Sequence, residues 1–168
     1  MGEFIYSTHG REMHEVCAEL LKASGLKLAV AESCTGGMIA SRLISVPGSS
    51  EWFMEGAVTY SCDSKMRRLG VKAETLEKYT DVSAETAKEM AKGAILASDA
   101  EVGVSVTGVA GPEPSEGKPV GLVYIGCYYR DKVTVKEFMF RGNRQKIREQ
   151  AVVMALDMVR RRIIEDDK

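Results

Sequence analysis

The chain has 168 residues, 45% of them hydrophobic and 28% charged, with only four prolines, which suits one globular domain with its own core. Its formal net charge of −1 supplies no field that would draw in nucleic acid or an anionic membrane. No apolar run approaches the roughly 18 residues of a membrane span. Cys17, Cys34, Cys62 and Cys127 are scattered without Cys-x-x-Cys spacing. This pattern points to a soluble protein of a reducing cytoplasm and argues against a zinc site.

Taken in order, residues 12–23 set Met13, Val16, Cys17, Leu20 and Leu21 at helical spacing, and Gly25 follows as a C-cap. Residues 1–11 read as an extension to a domain spanning 12–165. Both histidines, His9 and His14, fall at this end and read as surface residues. Residues 28–31 suit a buried strand and 35–45 a helix that stops at the Val46-Pro47-Gly48-Ser49-Ser50 loop, with Trp52 beside it as a hydrophobic clamp. A second strand, over 56–61, delivers Tyr60 to its end. Asp63 is placed to cap a short helix closed by Gly70, residues 73–79 form another, and Ser83 caps a longer one over 84–98. The basic runs at 65–68 and 160–162 read as solvated helix faces. A buried strand over 102–106 empties into a glycine-rich loop reaching Pro119, and a loop of that length in a compact domain usually carries function. Strands over 120–129 and 133–140 form a hairpin at Arg130-Asp131-Lys132, and Asn143 caps a last helix through Ile163. The expected fold is α/β: a single-domain sandwich of helices packed on a mixed, mostly parallel sheet with a C-terminal antiparallel hairpin.

The chemistry concentrates in Leu28-Ala29-Val30-Ala31-Glu32-Ser33-Cys34-Thr35-Gly36-Gly37, a strand running through a turn into a helix. Free amides in the first turn of such a helix favour a phosphate, a carboxylate or a developing oxyanion. Gly36 and Gly37 either admit a ligand close to the backbone or make a tight turn with positive φ. Neither a Walker loop nor a Gly-x-Gly-x-x-Gly fingerprint is present. Three loops, 32–37, 60–65 and 107–119, share one sheet edge if their strands are parallel, and open α/β sheets bind ligands there.

With both histidines within the first fourteen residues, a histidine-based triad would require the N-terminal segment to fold back over the sheet edge. A hydroxyl nucleophile activated by lysine remains. Ser33 is preferred, with Cys34 and Thr35 as alternatives that spacing leaves open. Lys65 is the candidate base, which must lose its proton near neutral pH to serve. Tyr60 is placed to hydrogen-bond either partner.

Ala31-Glu32-Ser33-Cys34-Thr35-Gly36-Gly37, Val46-Pro47-Gly48-Ser49-Ser50, Val58-Thr59-Tyr60-Ser61 with Lys65, Thr107-Gly108-Val109-Ala110-Gly111-Pro112 and Lys118-Pro119-Val120-Gly121 together resemble the CinA C-terminal domain family. The resemblance runs from about residue 12 to residue 163 and implies a stand-alone nicotinamide-nucleotide amidohydrolase. It implies hydrolysis of nicotinamide mononucleotide to nicotinic acid mononucleotide and ammonia, with no metal or redox cofactor. It implies Ser33 as nucleophile with Lys65 and Tyr60 as activating partners. It also implies binding of substrate or phosphate by Glu32, Cys34, Thr35, Gly36, Gly37, Thr107, Gly108, Ala110 and Gly111, and by Arg148 in preference to Arg141 and Arg144. Members commonly associate, so a homo-oligomer is expected, with a small-molecule nucleotide as substrate and no nucleic-acid or membrane partner. Glu113-Pro114-Ser115 stands where the family usually has a glycine pair, Cys62 replaces a usual asparagine and Leu122 a usual threonine. That altered loop motivates an alternative, a catalytically silent pyridine-nucleotide-binding module.

Overall fold

The alternation of side chains along the central strands decides the layering. In the computed structural model, which describes residues 10–166, β1 (Leu28–Glu32), β2 (Phe53–Val58), β3 (Val102–Gly108), β4 (Leu122–Tyr129) and β5 (Lys132–Met139) form one sheet in the order β2-β1-β3-β4-β5. β1 pairs in parallel with both β2 and β3, while β4 runs antiparallel between β3 and β5. β4 alone therefore runs against the others, and the mixed, mostly parallel sheet with a terminal hairpin is what forms.

One face of this sheet carries Leu28 and Val30, Val102, Val104 and Val106, and Val123, Ile125 and Cys127. These pack against α1 (Met13–Ser24), α2 (Met38–Ile44) and α6 (Arg144–Asp166) to form the larger core. Trp52 lies inside that core, so it is the clamp expected of it. The opposite face is lined by small residues, because successive side chains of a strand point to opposite sides. Ala29, Ala31 and Ala57 meet Leu69, Met90 and Ala94, which come from α3 (Cys62–Leu69) and α5 (Ala84–Leu96). α5 comes close enough for Ser105 Oγ to donate to the Ala87 carbonyl at 2.6 Å, over Gly103 and Gly126. A short α4 (Ala73–Tyr79) connects α3 to α5.

Several boundaries differ from the sequence reading. β2 begins three residues earlier, at Phe53, and ends at Val58, so Tyr60 lies beyond the strand. α2 starts at Met38, after residues 33–37 have formed a turn. Ser61, not Asp63, caps α3: its hydroxyl accepts from the Ser64 amide at 3.1 Å. The β4–β5 turn is tighter than a three-residue loop, with Arg130 and Asp131 both at positive φ, as a hairpin whose strands twist right-handedly requires. Asn143 does cap α6, accepting from the Lys146 amide at 2.9 Å. His14 is half-buried on α1, and His9 lies outside the described residues. Among the described residues no helix is long and apolar enough to cross a membrane.

Candidate active site

The three parallel strands end side by side, and the loops that leave them build the site. β1 ends in Glu32, whose fully buried carboxylate accepts from the amides of Gly37, Ile39 and Ala40 at 3.0 to 3.1 Å. The first turn of α2 is therefore capped from within the chain. Its amides are not open to an anion, and Glu32 is not a substrate contact. Gly36 (φ 59°) and Gly37 (φ 93°) are there for the turn itself, which needs the left-handed region. Thr35 is fully buried beneath that turn.

Ser33 follows Glu32 and is fixed through its amide, which donates to the Val106 carbonyl at 3.0 Å. Lys65, one turn into α3, points inward and is fully buried, whereas its neighbours Arg67 and Arg68 face solvent. The basic run at 65–68 is thus not a uniformly solvated face. Lys65 Nζ reaches Ser33 Oγ at 3.1 Å and the Tyr60 carbonyl at 3.1 Å. Tyr60 is 61% exposed, and its phenol receives a bond from Arg144 at 3.4 Å. Tyr60 supports the lysine through its backbone.

Sequence reasoning missed Asp81, whose carboxylate lies 3.5 Å from Lys65 Nζ. A fully buried amine needs such a partner whenever it carries a proton. The position is held by a strained link: Thr80 has φ 69° and ψ 177°, a region nearly reserved for glycine. Its carbonyl accepts from Thr86 Oγ1 at 2.7 Å and from Ser83 Oγ at 3.2 Å, and Thr107 Oγ1 donates to the Asp81 carbonyl at 2.6 Å. Thr107 thus sets the position of Asp81 and is itself buried. Nothing in the local sequence marks Asp81, which precedes an ordinary serine cap.

Ser33 and Asp81 open onto a cleft of about 200 Å³ that Cys34, Tyr60, Val82, residues 108–111, Glu113, Ser115 and Arg144 also line. Gly108, Ala110 and Gly111 thus stand where the sequence expects substrate contacts. Cys34, Ala110 and Gly111 line the cleft, and among the described residues no other residue accepts from their amides. Arg144 enters from the start of α6, with its guanidinium held by the Gly111 carbonyl and the Tyr60 hydroxyl. Arg148 does not line the cleft. It donates to the Cys34 carbonyl at 3.0 Å and the Thr35 carbonyl at 2.9 Å, bracing the turn from behind.

The CinA C-terminal domain profile matches residues 10–163. The chain belongs to that family. It is 47% identical over 165 residues to the CinA-like protein of Kosmotoga olearia, covering 98% of this chain and 40% of the relative, so it spans about two fifths of the length of the curated relatives it matches. The crystal structure of the competence/damage inducible protein CihA from Agrobacterium tumefaciens superposes with a TM-score of 0.84 at 40% identity, covering 91% of this chain and 96% of that one. A competence-damaged protein (CinA) superfamily protein from Enterobacter cloacae gives a TM-score of 0.87 at 32% identity, covering 97% and 99%.

Within this CinA domain the choice among nucleophiles narrows on physical grounds. Burial pushes the Cys34 thiol up to about 12, so it stays protonated and poorly nucleophilic at neutral pH. Thr35 is fully buried. Ser33 is the hydroxyl that both touches Lys65 and lines the cleft.

Proposed function

We propose that this CinA domain hydrolyses the carboxamide of nicotinamide mononucleotide, releasing ammonia and nicotinic acid mononucleotide. One observation carries the reading: a buried Lys65 Nζ stands 3.1 Å from the Oγ of Ser33, which lines a cleft. Lys65 Nζ takes the proton as Ser33 Oγ bonds to the amide carbon, and Asp81 stands beside the ammonium that this forms. The negative charge that forms on the carbonyl oxygen is met by amides drawn from Cys34, Ala110 and Gly111. Collapse breaks the C–N bond, the Lys65 ammonium returns its proton to the leaving nitrogen, and ammonia departs. Water, deprotonated by the same lysine, then opens the ester and frees the acid. Arg144, the arginine that lines the cleft, pairs with the phosphate. The four free cysteines suit a reducing cytoplasm, where we place the reaction.

Ammonia and acid product measured with nicotinamide mononucleotide test this directly. Turnover in the parent, reduced by about 10³-fold or more in both Ser33→Ala and Lys65→Ala, is the expected result. Nucleotide bound by the parent without ammonia release would replace the amidase by a binding module.

A further inference from the structure

Three charged side chains line the cleft, and two of them, Asp81 and Glu113, are carboxylates set against the single guanidinium of Arg144. Carboxylates repel a phosphate, so a pocket serving an anion alone gains nothing from them beyond the partner that Asp81 gives Lys65. A ligand with separated charges fits this lining. Arg144 is tethered at the Gly111 carbonyl and the Tyr60 hydroxyl. Asp81 is tethered at Lys65, whose Nζ lies 3.5 Å from the carboxylate and 3.1 Å from Ser33 Oγ. Asp81 therefore stands no further from the nucleophile than those two distances laid end to end, and 25% of its side chain remains exposed.

Resting on the amidase reading, we propose that Asp81 selects substrates whose amide-bearing ring is cationic, pairing its carboxylate with the pyridinium of the oxidised nucleotide and discriminating against the uncharged dihydropyridine form. The ring nitrogen is two bonds from the carbon that bears the carboxamide. An amide seated over Ser33 thus brings the positive ring alongside the Lys65–Asp81 pair. The Thr80 link and the Thr107 hydroxyl fix the backbone that carries this carboxylate, and Lys65 holds its side chain. Hydrolysis also replaces the neutral amide by a carboxylate beside Asp81. The like charges favour departure of the product.

Initial rates of ammonia release from nicotinamide mononucleotide and from its reduced form, in the parent, Asp81→Asn and Asp81→Glu, test the assignment. The parent is expected to favour the oxidised nucleotide by about tenfold or more in kcat/KM, the scale of one partly shielded ion pair. Asp81→Asn is expected to be slower on both, since Lys65 loses its partner, and to bring the ratio close to one. Asp81→Glu is expected to keep most of the preference. A merely structural role would slow both substrates together and leave the ratio unchanged, which overturns the proposal. If Asp81→Asn is too slow to assay, dissociation constants of the two nucleotides for Ser33→Ala and for Ser33→Ala/Asp81→Asn, by calorimetry, supply the same ratio, and an unchanged ratio there overturns the proposal equally. A parent that releases ammonia from neither nucleotide overturns the amidase reading. Hydrolysis of the oxidised nucleotide with an unchanged ratio in Asp81→Asn overturns only the role of Asp81.

Discussion

Glu32 turns its carboxylate inward, where solvent does not reach it, holding the amide of Gly37 and two amides of α2. Glu32→Gln keeps the shape but turns an NH₂ group towards amide donors. We expect it to cost about 2–4 kcal/mol in urea unfolding, the scale of a broken buried charged network, and to displace Ser33. Arg144 and Arg148, both in the first half of α6, separate in another way. Arg144→Ala should raise KM by about tenfold, having lost a charged substrate contact, with the smaller effect on kcat. Arg148→Ala should lower kcat and the urea midpoint while leaving KM within about twofold. A KM effect confined to Arg148 would return it to the substrate. Sparse chemistry makes Ser33 and Lys65 legible in the sequence, since a chain with two distant histidines has few ways to activate a hydroxyl. Glu32 and Arg148 mislead because a charge beside a turn is the same in sequence whether it faces a ligand or a backbone. Asp81 is invisible there because its role depends on where the twisted Thr80 link sends it.

The site depends on how closely α3 approaches α5, since α3 carries Lys65 and Asp81 lies just before the start of α5. Gly93 is the point of closest approach that the sequence controls: a Cβ added there would stand 2.0 Å from the Leu69 carbonyl. Gly93→Ala must push the helices apart. We expect it to lower stability by about 2–3 kcal/mol through overpacking and to reduce turnover more than substrate affinity. Unchanged kcat in a folded Gly93→Ala variant would show that the Lys65–Asp81 spacing tolerates the shift. The helices and strands themselves are legible from periodicity and caps, with Gly25 and Gly70 both ending helices in the left-handed conformation. Boundaries fail where local signals compete. Ser61 and Asp63 are both good caps, and the extended conformation of Ser61 decides for the former. Phe53–Val58 alternates in burial, but apolar Met54 and Val58 stand on its exposed side and Glu55 on its inner side, so the residue types of this edge strand hide the period that would mark its start.

Across the molecule, burial pushes the thiols of Cys17, Cys34 and Cys127 up to about 12. An unfolded chain ionises its thiols near pH 8.5. Above that pH the unfolded state has shed protons that the folded state keeps. Stability is therefore fully present below about pH 8.5 and declines as pH rises towards 12, by up to about 1.4 kcal/mol per pH unit for each thiol. The thermal midpoint should fall between pH 8 and pH 10.5, less steeply in Cys17→Ala/Cys127→Ala; equal slopes would reject the thiols as the cause. The three-layer plan follows from the alternation of helices and strands, whereas strand order and the central place of β3 arise from long-range pairing that local pattern does not carry. The brace from Arg148 to the carbonyls of Cys34 and Thr35 spans more than a hundred residues of chain. A ribosome makes Ser33, Lys65 and Asp81 well before it makes α6. An emerging chain that stops short of residue 144 holds Ser33, Lys65 and Asp81 without the arginine that steadies the turn after Ser33 or the one that lines the cleft, and on the proposed reading it should release no ammonia until the last helix arrives.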